Sequence, residues 1–178
     1  MTLFTGATQT ACGQGQAAMG PFYCPADQRV YIDLDFFHEL ETRFGAGGEF
    51  SKAYVIAHEV GHHVQNLLGI SDKVQAARAR ERGAGQCTVG SHGVQADCLA
   101  GLWGRSADVL KHQLEPGEAE QALRAAAAFG DDALQKQAQG YVVPESVTHG
   151  TSEQRMQWFN RGFETGDFSQ CDTFRKGM

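Results

Sequence analysis

Several things are missing from this chain. No stretch approaches the ~20 consecutive apolar residues of a membrane-spanning helix. The opening MTLFTGATQTACG has neither the basic nor the apolar region of a signal peptide, so any membrane anchor would lie upstream of this sequence. There is no basic stripe. With a formal net charge of −6, the chain is not expected to bind a nucleic-acid backbone. The nearest candidate, RARER from Arg78 to Arg82, is short, is interrupted by Glu81, and reads as a solvated helix face. No two of the five cysteines form a C-x-x-C pair, which argues against a zinc ribbon. Internal repeats and linkers are absent as well.

What remains suits one globular domain over residues 1–178, with 42% apolar and 20% charged residues. Residues 1–28 are rich in Gly, Thr, Gln and Ala and read as irregular. RVYIDLDFF (Arg29 to Phe37) alternates Val30, Ile32 and Leu34 with Tyr31, Asp33 and Asp35, as a strand with one buried face does. FFHELETRFG reads as a short helix. Glu49 to Leu68 is the clearest helix, stopped at Gly69, with Phe50, Ala53, Ala57, Val60, Val64 and Leu67 as its core-facing stripe. A polar helix follows to about Arg82. GAGQCTVGSHG (Gly83 to Gly93) breaks the helical pattern and places His92 in a loop. VQADCLAGLWGRSADVLKHQ, PGEAEQALRAAAAFG and DDALQKQAQG resume it, and PESVTHG is a loop. TSEQRMQWFNRGFETG opens with Thr151 and Gln154 in capping-box spacing. The expected fold is α+β and mostly helical, with a small N-terminal sheet.

The stretch YVIAHEVGHHVQNLLG carries the chemistry. His58 and His62 lie four apart, so on a helix they project from one face, about 5–6 Å apart at Cβ. Two imidazoles at that spacing can share a zinc ion at ~2.0–2.1 Å. Glu59 follows the first and stands beside the metal. Zinc polarises a scissile carbonyl and acidifies water, while a neighbouring carboxylate takes a proton from that water and passes it to the leaving amine. This is H-E-x-x-H, the zinc hydrolase arrangement. Gly61 is expected to remove bulk beside the metal, and His63 to stay off it. The metzincin extension needs glycine at 65 and histidine at 68, but the chain has Gln65 and Leu68. The third ligand must come from elsewhere, as from a carboxylate on a downstream helix.

Other residues carry weaker signals. Cys12 and Cys24 flank a Gly-rich turn that closes as a disulfide in an oxidising compartment or holds two buried thiols; the spacing leaves both open. His149 is a candidate hydrogen-bond donor to a tetrahedral oxyanion, or a loop histidine bonded to backbone. Tyr31 and Tyr54 read as packing residues. RVYIDL is a candidate edge strand for docking an extended peptide.

Several long stretches in one order make the chain resemble a family, the bacterial neutral zinc metallopeptidases of the YpfJ type. They are ACGQG, GPFYCPADQRVYIDLDFFHEL, RFGAGGEFSKAYVIAHEVGHHVQNLLG, QADCLAGLW and THGTSEQRMQWFNRGFETGDFSQCDTF. The resemblance implies a zincin-like, gluzincin-type fold whose H-E-x-x-H helix lies beside a second, ligand-bearing helix. It also implies a Zn²⁺ cofactor, a peptide or protein substrate, and residence in the bacterial cell envelope, at the extracytoplasmic face of the inner membrane, through an upstream anchor. A disulfide between Cys98 and Cys171, both in matching stretches, would leave Cys87 as the odd thiol.

The chain departs from the family at the second helix, where E-L-Q-A-D-C is expected. Gln95, Ala96, Asp97 and Cys98 match, but Gly93 stands where the ligand Glu belongs. Three readings stay open. His92 supplies an imidazole; or Asp97, expected to orient a ligating histidine, moves onto the metal; or two protein ligands remain and the domain is a weak or inactive scaffold that binds peptides or partner proteins.

Overall fold

The computed structural model describes residues 1–16, 20–43, 45–80, 85–111, 114–115, 117–142 and 149–174. Among these residues the architecture is α+β and mostly helical, as expected. The N-terminal stretch is less irregular than its composition suggests. It contains β1 (Thr2–Phe4), β2 (Ala7–Thr10), β3 (Gly13–Gln16) and β4 (Phe22–Cys24). Strands of three or four mostly polar residues are too short to show a period-2 signal. β2 and β3 form a hairpin with Thr10 opposite Gly13, and the Cys12–Cys24 disulfide ties its turn to β4.

β5 (Arg29–Asp33) is shorter than the expected strand and differently placed. It is the central strand of a sheet ordered β1-β5-β4, parallel to β1 and antiparallel to β4, so it is not an edge. Val30, Tyr31, Ile32 and Asp33 are all buried, so the strand is covered on both faces and its apparent alternation does not mark a solvent side. Asp33 ends it by capping α1 (Leu34–Thr42), where its carboxylate accepts from the Asp35 N–H. Tyr31 is a packing residue: its ring stacks on Phe22 and its hydroxyl donates to Asp27 at 2.6 Å.

The helices follow as α2 (Glu49–Leu67), α3 (Ile70–Arg80), α4 (Gly85–Lys111), α5 (Glu118–Ala128), α6 (Asp131–Gln139) and α7 (Ser152–Thr165), then a 3₁₀ turn at Phe168–Cys171. α2 ends within a residue of its expected stop, where Gly69 takes a φ of +67°. The capping box at Thr151 and Gln154 opens α7. α4 corrects the sequence reading, because helix runs through Gly90, His92 and Gly93. Glycine lowers helix propensity by about 1 kcal/mol per position, a weak local preference that does not stop the helix here. The Cys87 side chain, residues 144–148 and most of RARER lie outside the described residues.

α4 is the spine. It packs most extensively against α7 and next against α2. The α4–α7 crossing needs glycine on both sides: a Cβ at Gly101 would strike the Phe159 carbonyl oxygen, and one at Gly162 the Cys98 carbonyl oxygen. Gly61 serves the α2–α4 crossing rather than the metal, since a Cβ there would lie 3.1 Å from the Cα of Ala96. The main core gathers Leu40, Phe50, Tyr54, Ala122, Ala126 and Phe159, which makes the Ala-rich α5 a packing helix. A second cluster surrounds the Cys98–Cys171 disulfide, which fastens the C-terminal turn to α4. Among the described residues, no helix is long and apolar enough to cross a membrane.

Substituting Gly162→Ala should destabilise the domain by about 1–3 kcal/mol, the usual cost of overpacking. Denaturant unfolding measures it; an unchanged midpoint would show that the two helices can part without penalty.

Candidate metal centre

α2 buries only part of the stripe its sequence advertises: Phe50 and Ala57 are in the core, and Ala53 and Val64 pack against its clusters. Val60 is 45% exposed and Leu67 62%, while Tyr54, His58, Glu59, Gly61 and Gln65 are buried. The helix turns its polar side inward, onto α4 and a cleft of about 530 Å³. His58, Glu59 and His62 line that cleft together with His92, His149 and β4. The His58 and His62 rings are 4.8 Å apart, edge to face.

Each ring is held by its Nδ1. His58 Nδ1–H donates to Asp97 Oδ1 on α4 at 2.7 Å. The same oxygen accepts from the Tyr54 hydroxyl at 2.5 Å and from Arg155 Nη2 at 2.9 Å, while Asp97 Oδ2 accepts from Arg155 Nε at 2.9 Å. Both carboxylate oxygens are thus engaged away from the cleft. Arg155, on α7, also donates from Nη1 to the Phe129 carbonyl at 2.7 Å. His62 Nδ1–H donates to Gln65 Oε1 at 2.7 Å. The Gln65 amide orientation is fixed from its other end, where Nε2 donates to the His92 carbonyl (2.8 Å) and to Gln95 Oε1 (2.9 Å). Gln95 in turn donates to the Cys171 carbonyl at 2.8 Å. With Nδ1 protonated on both rings, each Nε2 keeps its lone pair, the form that binds a metal.

His92, one turn before Ala96 on α4, stacks on His62 with ring centroids 4.9 Å apart. Its Nε2 meets Ser71 Oγ at 3.2 Å. His63 is turned away: its Nδ1 and the amide of Asn66 hold the Tyr23 hydroxyl at 3.0 and 3.1 Å, which moors β4 to α2. The His149 backbone is clamped by Asp131, whose Oδ2 accepts from the His149 N–H at 2.6 Å and whose own N–H donates to the Gly150 carbonyl at 3.0 Å.

Burial decides the charges. It lowers the pKa of His58, aided by the nearby Arg155 cation, and pushes His62 well below its usual value, with His58 and His92 adding to the effect. Burial, with His58 and His149 adding to it, lowers His92 to about 4. Burial also pushes the Glu59 carboxyl up to about 8, against the pull of Arg155 and of the Tyr23 N–H. Asp97 is the exception: Arg155 and His58 overcome its burial and hold it well below the carboxylate range. The donors suit a borderline cation such as zinc, since neutral imidazoles bind it well. Among the described residues, however, no three His, Cys, Asp or Glu side chains form a preassembled metal-binding group.

Arg155, Gln65 and Gln95 carry no sequence signal that singles them out, and Tyr54 reads as packing. The only cue is that polar residues sit in register with His58 and His62 on helices that otherwise look apolar. Arg155→Met should cost roughly 3–5 kcal/mol, because it leaves the buried Asp97 carboxylate without its cation. Asp97→Asn combined with Arg155→Met should recover part of that loss in urea unfolding; a single variant as stable as the native chain would remove the pair from its structural role.

No solved structure matches the chain. It is 54% identical to the uncharacterized protein YpfJ of Escherichia coli, over 100% of this chain and 62% of that protein. It is 46% identical to uncharacterized proteins of Mycobacterium bovis and Mycobacterium tuberculosis, over 98% of this chain and 61% of each of theirs. The chain therefore spans about three-fifths of the length of these curated relatives. Residues 1–174 match the family described as "Putative neutral zinc metallopeptidase", and the chain belongs to that family.

Proposed function

We propose that this domain is a zinc-dependent metallopeptidase, zincin-like in its use of an H-E-x-x-H helix, that hydrolyses peptide bonds in the cleft over α2. One observation carries the reading: two imidazoles one turn apart have their Nδ1 atoms tied to Asp97 and Gln65, which leaves both Nε2 lone pairs for a shared cation beside Glu59. His58 and His62 are the first two protein ligands. Asp97 orients His58 and fixes its tautomer, the service an outer carboxylate gives a ligating histidine.

Zinc at this point supplies an acidified water and a Lewis acid for the scissile carbonyl. In its ionised form, which a cation bound beside it would favour, Glu59 would accept the proton of the attacking water and deliver it to the leaving nitrogen. His149 lines the same cleft, with its backbone fixed by Asp131, and donates to the oxyanion that develops on the carbonyl. The substrate is an extended stretch of peptide or protein. It lies along β4, the strand at the sheet edge bordering the cleft, in the role the sequence alone assigned to RVYIDL. Two disulfides suit an oxidising compartment, which favours the bacterial cell envelope, with tethering by a segment outside this sequence.

Glu59→Gln should keep zinc and lose about 10²–10⁴-fold in the cleavage of unfolded casein, the range for a general base. A chelator should abolish cleavage and added zinc should restore it. Undiminished cleavage by the Glu59 variant, or indifference to chelation, would end the metallopeptidase reading.

A further inference from the structure

Position 93 lines the cleft but offers nothing to a metal. The space its side chain would enter is already occupied: a Cβ on Gly93 would lie 2.6 Å from the His149 carbonyl oxygen and 2.9 Å from the His149 Cα. Backbone does not yield as a flexible side chain does, and this backbone is clamped to Asp131 by two hydrogen bonds. A larger residue at 93 would have to displace that segment. Glycine is required at 93 by the seat of His149.

The neighbouring residue is built differently. Three imidazoles face this cleft from α2 and α4, and each has one nitrogen tied and one left over. His58 is tied at Nδ1 by Asp97, His62 at Nδ1 by Gln65, and His92 at Nε2 by Ser71. A partner on the far nitrogen is the pattern of a ligating histidine. The acceptors Asp97 and Gln65 fix the tautomers of His58 and His62, whereas the Ser71 hydroxyl can donate or accept and leaves the His92 ring free to turn. Gln65 ties the second ring to the backbone of the third residue, since the amide that accepts from His62 also donates to the His92 carbonyl. Successive ring centroids are 4.8 and 4.9 Å apart. Imidazoles that share a tetrahedral ion at ~2.0–2.1 Å have centroids roughly 5 Å apart, so spacing is no obstacle.

We propose that His92 is the third protein ligand, which makes this a three-imidazole site bound through Nε2 of His58, Nε2 of His62 and Nδ1 of His92. The proposal rests on the metallopeptidase reading and completes its metal site. The stacked arrangement of His62 and His92 is not yet a preassembled group. Closure asks the His92 ring to rotate about its side-chain torsions out of the stack, which a metal can drive because ligand ordering and metal binding are coupled. The chemistry differs from that of a site with a carboxylate ligand. Three neutral ligands leave the full charge of the ion in place, whereas a glutamate would cancel one unit of it. The site therefore favours metals that prefer nitrogen donors.

The test is zinc and cobalt(II) binding to the metal-stripped chain, by equilibrium dialysis with metal analysis and by the visible absorption of the cobalt form. The native chain should bind one ion. His92→Ala should weaken binding by at least the ~100-fold that losing even an outer partner can cost, and should change the cobalt spectrum. His58→Ala separates the two claims. If it binds metal as the native chain does, the metallopeptidase reading fails. If it loses the metal while His92→Ala keeps native affinity, only the present inference fails. A measurement on the native protein removes dependence on the fold of any variant: on adding zinc, the imidazole ¹⁵N resonances of His58 and His62 should move at Nε2, and that of His92 at Nδ1. An unmoved His92 resonance overturns the assignment. Gly93→Glu should lower the thermal midpoint without tightening zinc; a gain in zinc affinity would show that position 93 is open after all.

Discussion

The site hangs on one buried ion pair. Arg155 and Asp97 lie on different helices, and both are removed from solvent. Such a pair gains stability only when every remaining lone pair and proton is used. Here that condition recruits the site. The Asp97 oxygen that Arg155 does not saturate accepts from Tyr54 and His58, both on α2, and Arg155 returns to the chain at the Phe129 carbonyl. One charge pair thus joins α2, α4, α7 and the end of α5, and the orientation of His58 is a by-product of satisfying it.

A second network, with no formal charge, does the same for His62. It runs from the ring through Gln65 and Gln95 to the Cys171 carbonyl, next to the disulfide that binds the C-terminal turn to α4. The two networks leave α4 at Gln95 and Asp97, two residues apart, and reach α2 at both histidines. The order of the fold follows from this. α4 must be long and central, and it must approach α2 and α7 closely, which is why glycine stands at 61, 101 and 162 where the backbones meet.

The parts legible from the residues were those that local spacing or a local cap encodes. His58, Glu59 and His62 declare themselves by one-turn spacing, the extent of α2 by Gly69, and the start of α7 by its capping box. The architectural class followed from helical periodicity. What spacing does not encode was missed. β5 looks like a half-exposed edge strand, but β1 and β4 pair with both of its edges and residues on both of its faces are buried. The Gly-rich start of α4 looks like a break in the sequence, yet it is helical in the structure. Arg155 meets Asp97 from 58 residues away, and Gln65, though it holds His62 three residues before it, is itself oriented by partners 27 and 30 residues on, separations no window of local pattern spans. The family resemblance directed attention to Asp97 and to the Cys98–Cys171 pairing, but it assigned no work to Gln65 or Arg155.

The burial of α2 has a further consequence. Val60 and Leu67 face outward although they would bury more cheaply than Tyr54, His58 or Gln65. A polar interior of that kind holds only if no member is left unbonded, because a half-satisfied network is worse than an apolar one. Among the described residues, the one buried side-chain atom without a partner is Gln121 Oε1. It stands against Gly48 at the N-terminal end of α2, outside both networks that hold the histidines. Every buried polar group that orients His58 and His62 is paired. Free energy that a hydrophobic face would have supplied has gone into fixing two ring orientations, a departure from the local packing rule of the kind expected at a functional site. The same pairing makes the arrangement brittle. Removing any one of Asp97, Arg155, Gln65 or Gln95 leaves an orphaned partner in the interior, so the fold and the alignment of the histidines are lost together rather than in turn.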